Sequence, residues 1–206
     1  MKRVCFLFVV VFCCINFYGQ AWDNAKPDRR FTFGIRAGAN FSSTAAKEWV
    51  ASEWIPYEMH YYRYNSFKSK LGFHAGLNVD INIIKSFAVE TGLYYTNKVF
   101  TGEETTTNES ETFEFQYIQL PVLALFRLYI EDDMHIQLKG GVYCGSPFKI
   151  PSLLNGHWPD AGIMVGAGVN YKKYYFGVQY EMGMTTSRFE DSGKCSNLSI
   201  SVGYDF

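Results

Sequence analysis

The sequence predicts an all-β fold, an eight-stranded antiparallel up-and-down transmembrane β-barrel. Three observations lead to this prediction: period-two alternation in eight segments, an apolar face set against a glycine-rich polar face, and connections that are alternately short and long. Strict alternation indicates a strand with two different faces. No long apolar stretch follows the N-terminal region, so a closed barrel is the remaining way to pair every backbone group in lipid.

The N-terminal residues 1–21 have the features of a secretory signal peptide. Two basic residues precede an apolar run over residues 4–17, and a small-x-small cleavage pattern follows at residues 19–21. Residues 22–206 are then predicted to form one mature barrel domain. A membrane anchor and a lipoprotein are the alternatives, but the run is short for a span and residues 12–14 make a poor lipidation motif.

The composition argues against nucleic-acid binding and against metal or disulfide scaffolds. The formal net charge is −1, so the chain carries no basic footprint for nucleic acid. Only Cys144 and Cys195 lie outside the N-terminal region, and both are predicted as free thiols. Strand ends three steps apart in a closed barrel exceed the roughly 7 Å that a disulfide spans. The four histidines have no ligand spacing, so neither a metal nor a cofactor is predicted.

Each predicted strand has one large apolar face and one small or polar face. In the last segment Leu198, Ile200 and Val202 alternate with serine, asparagine and glycine. A soluble barrel places its bulk inside, so the glycine-rich polar face fits a narrow lumen and the apolar face fits lipid. A soluble sandwich is the alternative. The predicted strands cover residues 31–42, 71–81, 87–98, 112–128, 134–145, 161–171, 174–185 and 196–206.

The connections support the same topology, because short turns at one end and long loops at the other are typical of membrane barrels. The short connections cover residues 82–86, 129–133 and 172–173, and the long ones cover residues 43–70, 100–111, 146–160 and 186–194. An even strand number then places both termini at the short-turn end. With a signal peptide in front, that end is predicted to be periplasmic.

The fourth predicted strand is the least regular. Phe113, Phe115 and Tyr117 define one apolar face, but after Gln119 the apolar residues move to the even positions. Proline cannot donate to a ladder, so a bulge is predicted near residues 118–121.

Four segments carry a resemblance to a known group: Phe-Gly-Ile-Arg-Ala-Gly-Ala-Asn at 33–40, Tyr-Ile-Gln-Leu-Pro-Val-Leu at 117–123, Gly-Ala-Gly-Val at 166–169 and the terminal Gly-Tyr-Asp-Phe. The chain resembles the outer-membrane β-barrel family common in Bacteroidota, often labelled PorT-like. This resemblance implies a barrel in outer-membrane lipid and a C-terminal signal, Tyr204 and Phe206, for the barrel-assembly machinery. One namesake acts in protein secretion, but the family implies no single activity.

Parity places a set of charged side chains in the lumen: Arg36, Asp80, Glu90, Arg127, Lys139 and Glu181, together with Asp205, His74 and His135. Acids and bases nearly balance, which favours a plug of mutually satisfied ion pairs; a proton or ion path is the alternative. Glu90 and Arg127 are predicted to approach each other, with Asp80 beside them. An eight-stranded barrel has little room inside, so porin-like conduction is not predicted.

The loop over residues 43–70 is the predicted functional surface. Its candidate binding residues are Trp49, Trp54, Tyr57, Tyr61 and Tyr62. Aromatic side chains among scattered charges suit a binding face; a lipid-headgroup girdle on longer strands is the alternative. The predicted function is a non-catalytic outer-membrane barrel, structural or binding through its extracellular loops, with a secretion or envelope protein as partner. A small lipid-modifying enzyme, a lipid A or phospholipid hydrolase or acyltransferase, is the second candidate.

Overall fold

The computed structural model describes residues 25–44, 49–55, 58–104, 109–131, 133–149, 160–184 and 195–206, with the backbone only for residues 49–55, 58–66 and 148–149. The predicted signal peptide lies outside them. The described residues form β1 (Phe31–Thr44), β2 (Trp49–Ile55), β3 (Glu58–Ser69), β4 (Leu71–Ile84), β5 (Phe87–Glu104), β6 (Ser110–Glu131), β7 (Met134–Lys149), β8 (Asp160–Tyr171), β9 (Tyr174–Gly183) and β10 (Cys195–Asp205). No helix among them is long and apolar enough to cross a membrane.

Eight strands close into a ring. Its order is β1, β4, β5, β6, β7, β8, β9 and β10, and β10 pairs back with β1. Every pairing is antiparallel; Ala37 of β1, for example, lies opposite Ala75 of β4 and Val202 of β10. The predicted eight-stranded up-and-down barrel is confirmed.

The faces of the ring are inverted relative to a soluble barrel, as predicted. Large apolar side chains such as Phe33, Leu77 and Val202 are more than half exposed on the outside. The inside carries asparagine, glutamine, serine and charged side chains that are almost fully buried. A small apolar group also lies inside, where Leu123, Tyr143 and Met164 pack together.

The segment predicted as the loop 43–70 is largely a β-hairpin. β2 pairs with β3, and β3 continues along the upper part of β5, where Tyr64 lies opposite Glu104 and Ser69 opposite Phe100. β5 and β6 also run further than predicted. Together these strands form a sheet that rises above one side of the rim, named here the rim sheet: β2, β3, residues 97–104 of β5 and residues 110–116 of β6. Repeated tyrosines between residues 57 and 64 favour strand over loop.

The bulge predicted near residues 118–121 is wrong. The odd-numbered residues of β6 stay on the inner face from Phe113 to Arg127. Next to Pro121 the pairing with β5 is interrupted between Thr91–Val122 and Tyr94–Gln119, but its register does not change. The shift lies instead on the β7 side, between Gln116 and Tyr117. Phe113 and Phe115 therefore face inward.

The start of β1 and the end of β10 meet at the short-turn end. The turns at residues 85–86 and 172–173 and residue 133 also lie there. The backbone N–H of Phe206 donates to Phe33 O at 2.8 Å, and Arg29 Nη1 donates to Phe206 O at 2.9 Å. The end of the C-terminal strand β10 is thus held by Arg29 and Phe33, which lie just before and within the first strand β1.

Leu77→Arg tests the inverted faces. Leu77 lies mid-strand on the outside with 62% exposure, and Arg at the bilayer midplane costs about 2–4 kcal/mol. The same change at Leu71, 64% exposed at the end of the same strand, should cost about 0–1 kcal/mol because interfaces tolerate charge. Guanidinium unfolding in phosphatidylcholine vesicles measures both. Equal costs at the two positions would mean that Leu77 does not face lipid.

Candidate functional site

The lumen is filled with ion pairs between strands. Arg36 Nη1 lies 2.6 Å from Asp205 Oδ1, and Lys139 Nζ lies 3.3 Å from Glu90 Oε1. Arg127 donates to Asp80 Oδ2 and to Asn82 Oδ1, both at 2.6 Å. A buried charge is costly unless an opposite charge lies close to it, and each of these charges has such a partner.

A cluster of ion pairs around Lys98 joins opposite walls of the barrel. Lys98 Nζ on β5 donates to Asp160 Oδ2 on β8 at 2.7 Å and lies 3.3 Å from Glu181 Oε2 on β9. β5 and β9 are four positions apart in the ring of eight. Tyr143 donates its hydroxyl to Asp160 at 3.2 Å, and Gln119 donates to Glu181 at 3.3 Å. The lumen is therefore bridged across its full width.

An aromatic cluster lies above this bridge at the mouth of the barrel. Phe100 stacks on Phe115 with centroids 5.2 Å apart, and contacts Phe67 and Phe113, each at 6.2 Å. Phe113 and Phe100 are almost fully buried. These rings pack together on the side of the rim sheet that continues the inner face of β5 and β6.

Tyr175 fills the middle of the lumen. Its ring lies 4.2 Å from the Arg36 guanidinium carbon and 4.8 Å from Lys139 Nζ, within the range of cation–π attraction. A Cβ at Gly168 would lie 2.5 Å from the ring, and a Cβ at Gly177 would overlap its hydroxyl. An added Cβ at either position would therefore force the Tyr175 ring to move.

Little free space remains between these groups. The cavity among them has a volume of about 20 Å³ and is lined by Arg36, Glu90, Lys139, Glu181 and their neighbours. A volume of that order holds about one water molecule. It has no room for a substrate.

The six predicted lumen charges all lie inside, but the pairing of Glu90 with Arg127 was wrong. Arg127 lies opposite Ser86 and donates its backbone N–H to Ser86 O, whereas Glu90 lies opposite Leu123. Four residues along a strand separate the two by roughly 13 Å. Asp80 is the partner of Arg127, and Lys139 is the partner of Glu90.

Sequence reasoning missed Lys98 and Asp160. Lys98 shares the even parity of Glu90, Tyr94 and Thr96, so the alternation already predicted an inward-facing side chain. Lys98 was the last residue of a predicted strand, however, and was not assigned to the lumen. Asp160 was assigned to a long loop, although it begins β8 opposite Gly145. No sequence signal showed that these two strand ends meet across the lumen.

A serine–histidine pair lies in the lumen. His74 Nε2 lies 2.9 Å from Ser201 Oγ, and both side chains are buried. Nucleophilic catalysis needs a third group that orients the histidine, but Nδ1 has no hydrogen-bond partner among the described residues. The pair is also shielded from lipid. Its geometry does not support acyl transfer.

The remaining predicted residues lie elsewhere. Trp49, Trp54, Tyr61 and Tyr62 belong to β2 and β3, whose side chains lie outside the described set, and Tyr57 is not described at all. Cys144 and Cys195 lie on β7 and β10 with two strands between them, and both are free thiols. Tyr204 and Phe206 contact each other at the short-turn end, with centroids 5.4 Å apart. No group of three metal-ligating side chains occurs among the described residues.

Three solved structures of outer-membrane proteins are similar to this chain at low identity. The crystal structure of OprG from Pseudomonas aeruginosa is similar at 10% identity and a TM-score of 0.49, covering 90% of this chain and 99% of that one. Neisserial surface protein A is similar at 13% identity and a TM-score of 0.49, covering 86% of this chain and 98% of that one. Ail of Yersinia pestis, in complex with the heparin analogue sucrose octasulfate, is similar at 16% identity and a TM-score of 0.44. The match covers 86% of this chain and 100% of that one. No curated protein matches the sequence.

The family model for the outer membrane protein beta-barrel domain matches residues 18–152, which is more than half of the chain. The matched range extends from before β1 through β7, and the ring closure of β8, β9 and β10 completes the same barrel. The chain belongs to the outer membrane protein beta-barrel domain family.

Proposed function

We propose that this outer-membrane barrel is a non-catalytic anchor with a closed lumen, and that its working surface is the rim sheet. The observation that carries the proposal is the bridge of Lys98 to Glu181 between opposite walls, under the aromatic cluster of the mouth. A lumen closed in this way leaves the outside of the protein as the place for function. Residues 1–21 act as a cleaved signal peptide, and the short-turn end faces the periplasm.

The rim sheet suits binding because it stands apart from the rest of the rim. β5 continues eight residues beyond its last pair with β4, while β1 and β10 end at Thr44 and Cys195. β2 is the last strand of this sheet and pairs among the described residues only with β3. An open strand edge offers backbone groups to an extended segment of a partner. An envelope or secretion protein is the partner that this proposal expects.

Replacement of residues 46–64 by a short Gly-Ser turn tests the proposal. Intact cells treated with a membrane-impermeant crosslinker should give crosslinks between the wild-type rim sheet and a second protein, and the variant should lose them. Heat-modifiable migration on gels checks that the barrel still folds. A control variant that changes Trp49, Trp54, Tyr57, Tyr61 and Tyr62 to serine separates aromatic contacts from strand pairing.

Two outcomes would contradict the proposal. One is an unchanged set of crosslinks in the folded hairpin variant. The other is turnover of lipid A or phospholipid by the purified wild-type protein, which would establish the lipid-modifying alternative.

A further inference from the structure

The short-turn end carries an arc of basic side chains that no part of the lumen uses. Its members are Lys26, Arg29, Arg30, Lys85, Lys172 and Lys173. Backbone contacts make the arc continuous: Lys85 N donates to Ala25 O at 3.0 Å, Asn82 N to Arg30 O at 2.9 Å, and Asp205 N to Lys173 O at 2.8 Å. The arc therefore follows the rim from the β4–β5 turn, past both chain ends, to the β8–β9 turn.

Tyrosine rings lie beside these cations. Lys85 Nζ lies 5.2 Å from the Tyr129 ring centroid, Lys172 Nζ 5.6 Å from that of Tyr171, and Lys173 Nζ 5.6 Å from that of Tyr204. Tyr171 and Tyr174 are more than half exposed on the outer face. Exposed tyrosines at the end of an apolar wall mark the level of the lipid headgroups. The basic arc thus lies where phosphates of the adjoining leaflet are found.

Three members of the arc are available for an anion. Arg30, Lys172 and Lys173 have no carboxylate within ion-pair distance in the described part of the chain. Asp28 is an acidic residue within the arc, between Lys26 and Arg29. Two further acidic residues of this rim, Glu131 and Asp133, lie at the β6–β7 turn, where Lys172 N donates to Asp133 O at 2.7 Å. Along the arc the six basic side chains therefore outnumber the acidic one, and the acidic β6–β7 turn lies at its border.

We propose that the basic arc binds the anionic headgroups of phospholipids in the periplasmic leaflet. The periplasmic assignment rests on the orientation given with the proposed function, whereas headgroup binding can be measured without it. Basic side chains near an anionic surface strengthen binding by about fivefold each, and salt screens the effect. The arc would hold the barrel at a set depth and enrich anionic lipid on one side of its perimeter.

Native mass spectrometry of the full mature protein tests this inference. The probe is an equimolar mixture of phosphatidylglycerol and phosphatidylcholine with the same acyl chains. The wild type should retain phosphatidylglycerol preferentially, and the variant Arg30→Gln with Lys173→Gln should lose this preference by about fivefold per charge removed. The control variant Lys68→Gln with Lys70→Gln removes two exposed charges at the long-loop end and should keep it.

The proposal is overturned by any of three results. The first is equal retention of the two lipids by the folded wild type, and the second is the same preference in the rim variant. The third is displacement of phosphatidylglycerol by inorganic phosphate at equal concentration, because the arc would then be a site for free phosphate. None of these results depends on the rim sheet or on its partner, so the proposed function stands or falls separately.

Discussion

Replacing Arg127 with methionine is expected to destabilise the barrel by about 3–5 kcal/mol, because it leaves a buried carboxylate without its partner. Asp80 has no exposed surface, and Arg127 is its cation at 2.6 Å. Asn82 would lose the same donor. Guanidinium unfolding in phosphatidylcholine vesicles, followed by tryptophan fluorescence, measures the change in free energy.

The double variant Arg127→Met with Asp80→Asn separates the effect of the unpaired carboxylate from the effect of the changed side-chain packing. Neutralising the acid removes the unpaired charge, so the double variant should regain much of the lost stability. Arg30→Met, an exposed change at the same end, should stay within about 0.5 kcal/mol of the wild type. A single variant as stable as the wild type would show that Arg127 does not compensate Asp80.

Gly177→Ala is expected to cost about 1–3 kcal/mol, because the added methyl overlaps the Tyr175 hydroxyl in a packed lumen. The ring would have to leave its position between Arg36 and Lys139. The same unfolding measurement applies, and Gly140→Ala is the matched control. A Cβ at Gly140 meets nothing nearer than 3.8 Å, so that change should be neutral or slightly stabilising.

A double-mutant cycle with Tyr175→Ala assigns the cost of Gly177→Ala to the ring. Once the ring is absent, most of the cost should disappear. If Gly177→Ala costs as much without Tyr175 as with it, the backbone and not the ring requires glycine at this position.

Alternation was sufficient to predict the ring, because lipid and lumen impose opposite polarity on successive residues. In β10, Leu198, Ile200 and Val202 face outward and Ser199 and Ser201 face inward, as the pattern predicted. Lipid accepts only apolar side chains over the middle of each strand, so the outer face is strongly specified. Charged residues of matching parity could therefore be placed inside without coordinates.

The alternation of apolar and polar residues did not predict which way side chains face where the lumen itself is apolar. Phe113, Phe115, Leu123 and Leu125 are bulky and face inward, so hydrophobicity no longer distinguishes the two sides of β6. The partners of the ion pairs also could not be predicted, because they depend on the register between neighbouring strands. Arg127 lies at the level of Ser86, and Lys98 crosses to strands that are distant in sequence. The rim sheet was missed because its strands lie outside the membrane span, where lipid does not enforce alternation.

The central claim is that the lumen is closed, and planar-bilayer recording of the refolded mature protein tests it most directly. The Lys98 bridge crosses the lumen, the Tyr175 ring lies inside it, and the cavity beside that ring holds about one water molecule. The recordings should therefore stay at the baseline of a protein-free bilayer. Stable openings on the nanosiemens scale would contradict the account, because they require a water-filled channel where these side chains now meet.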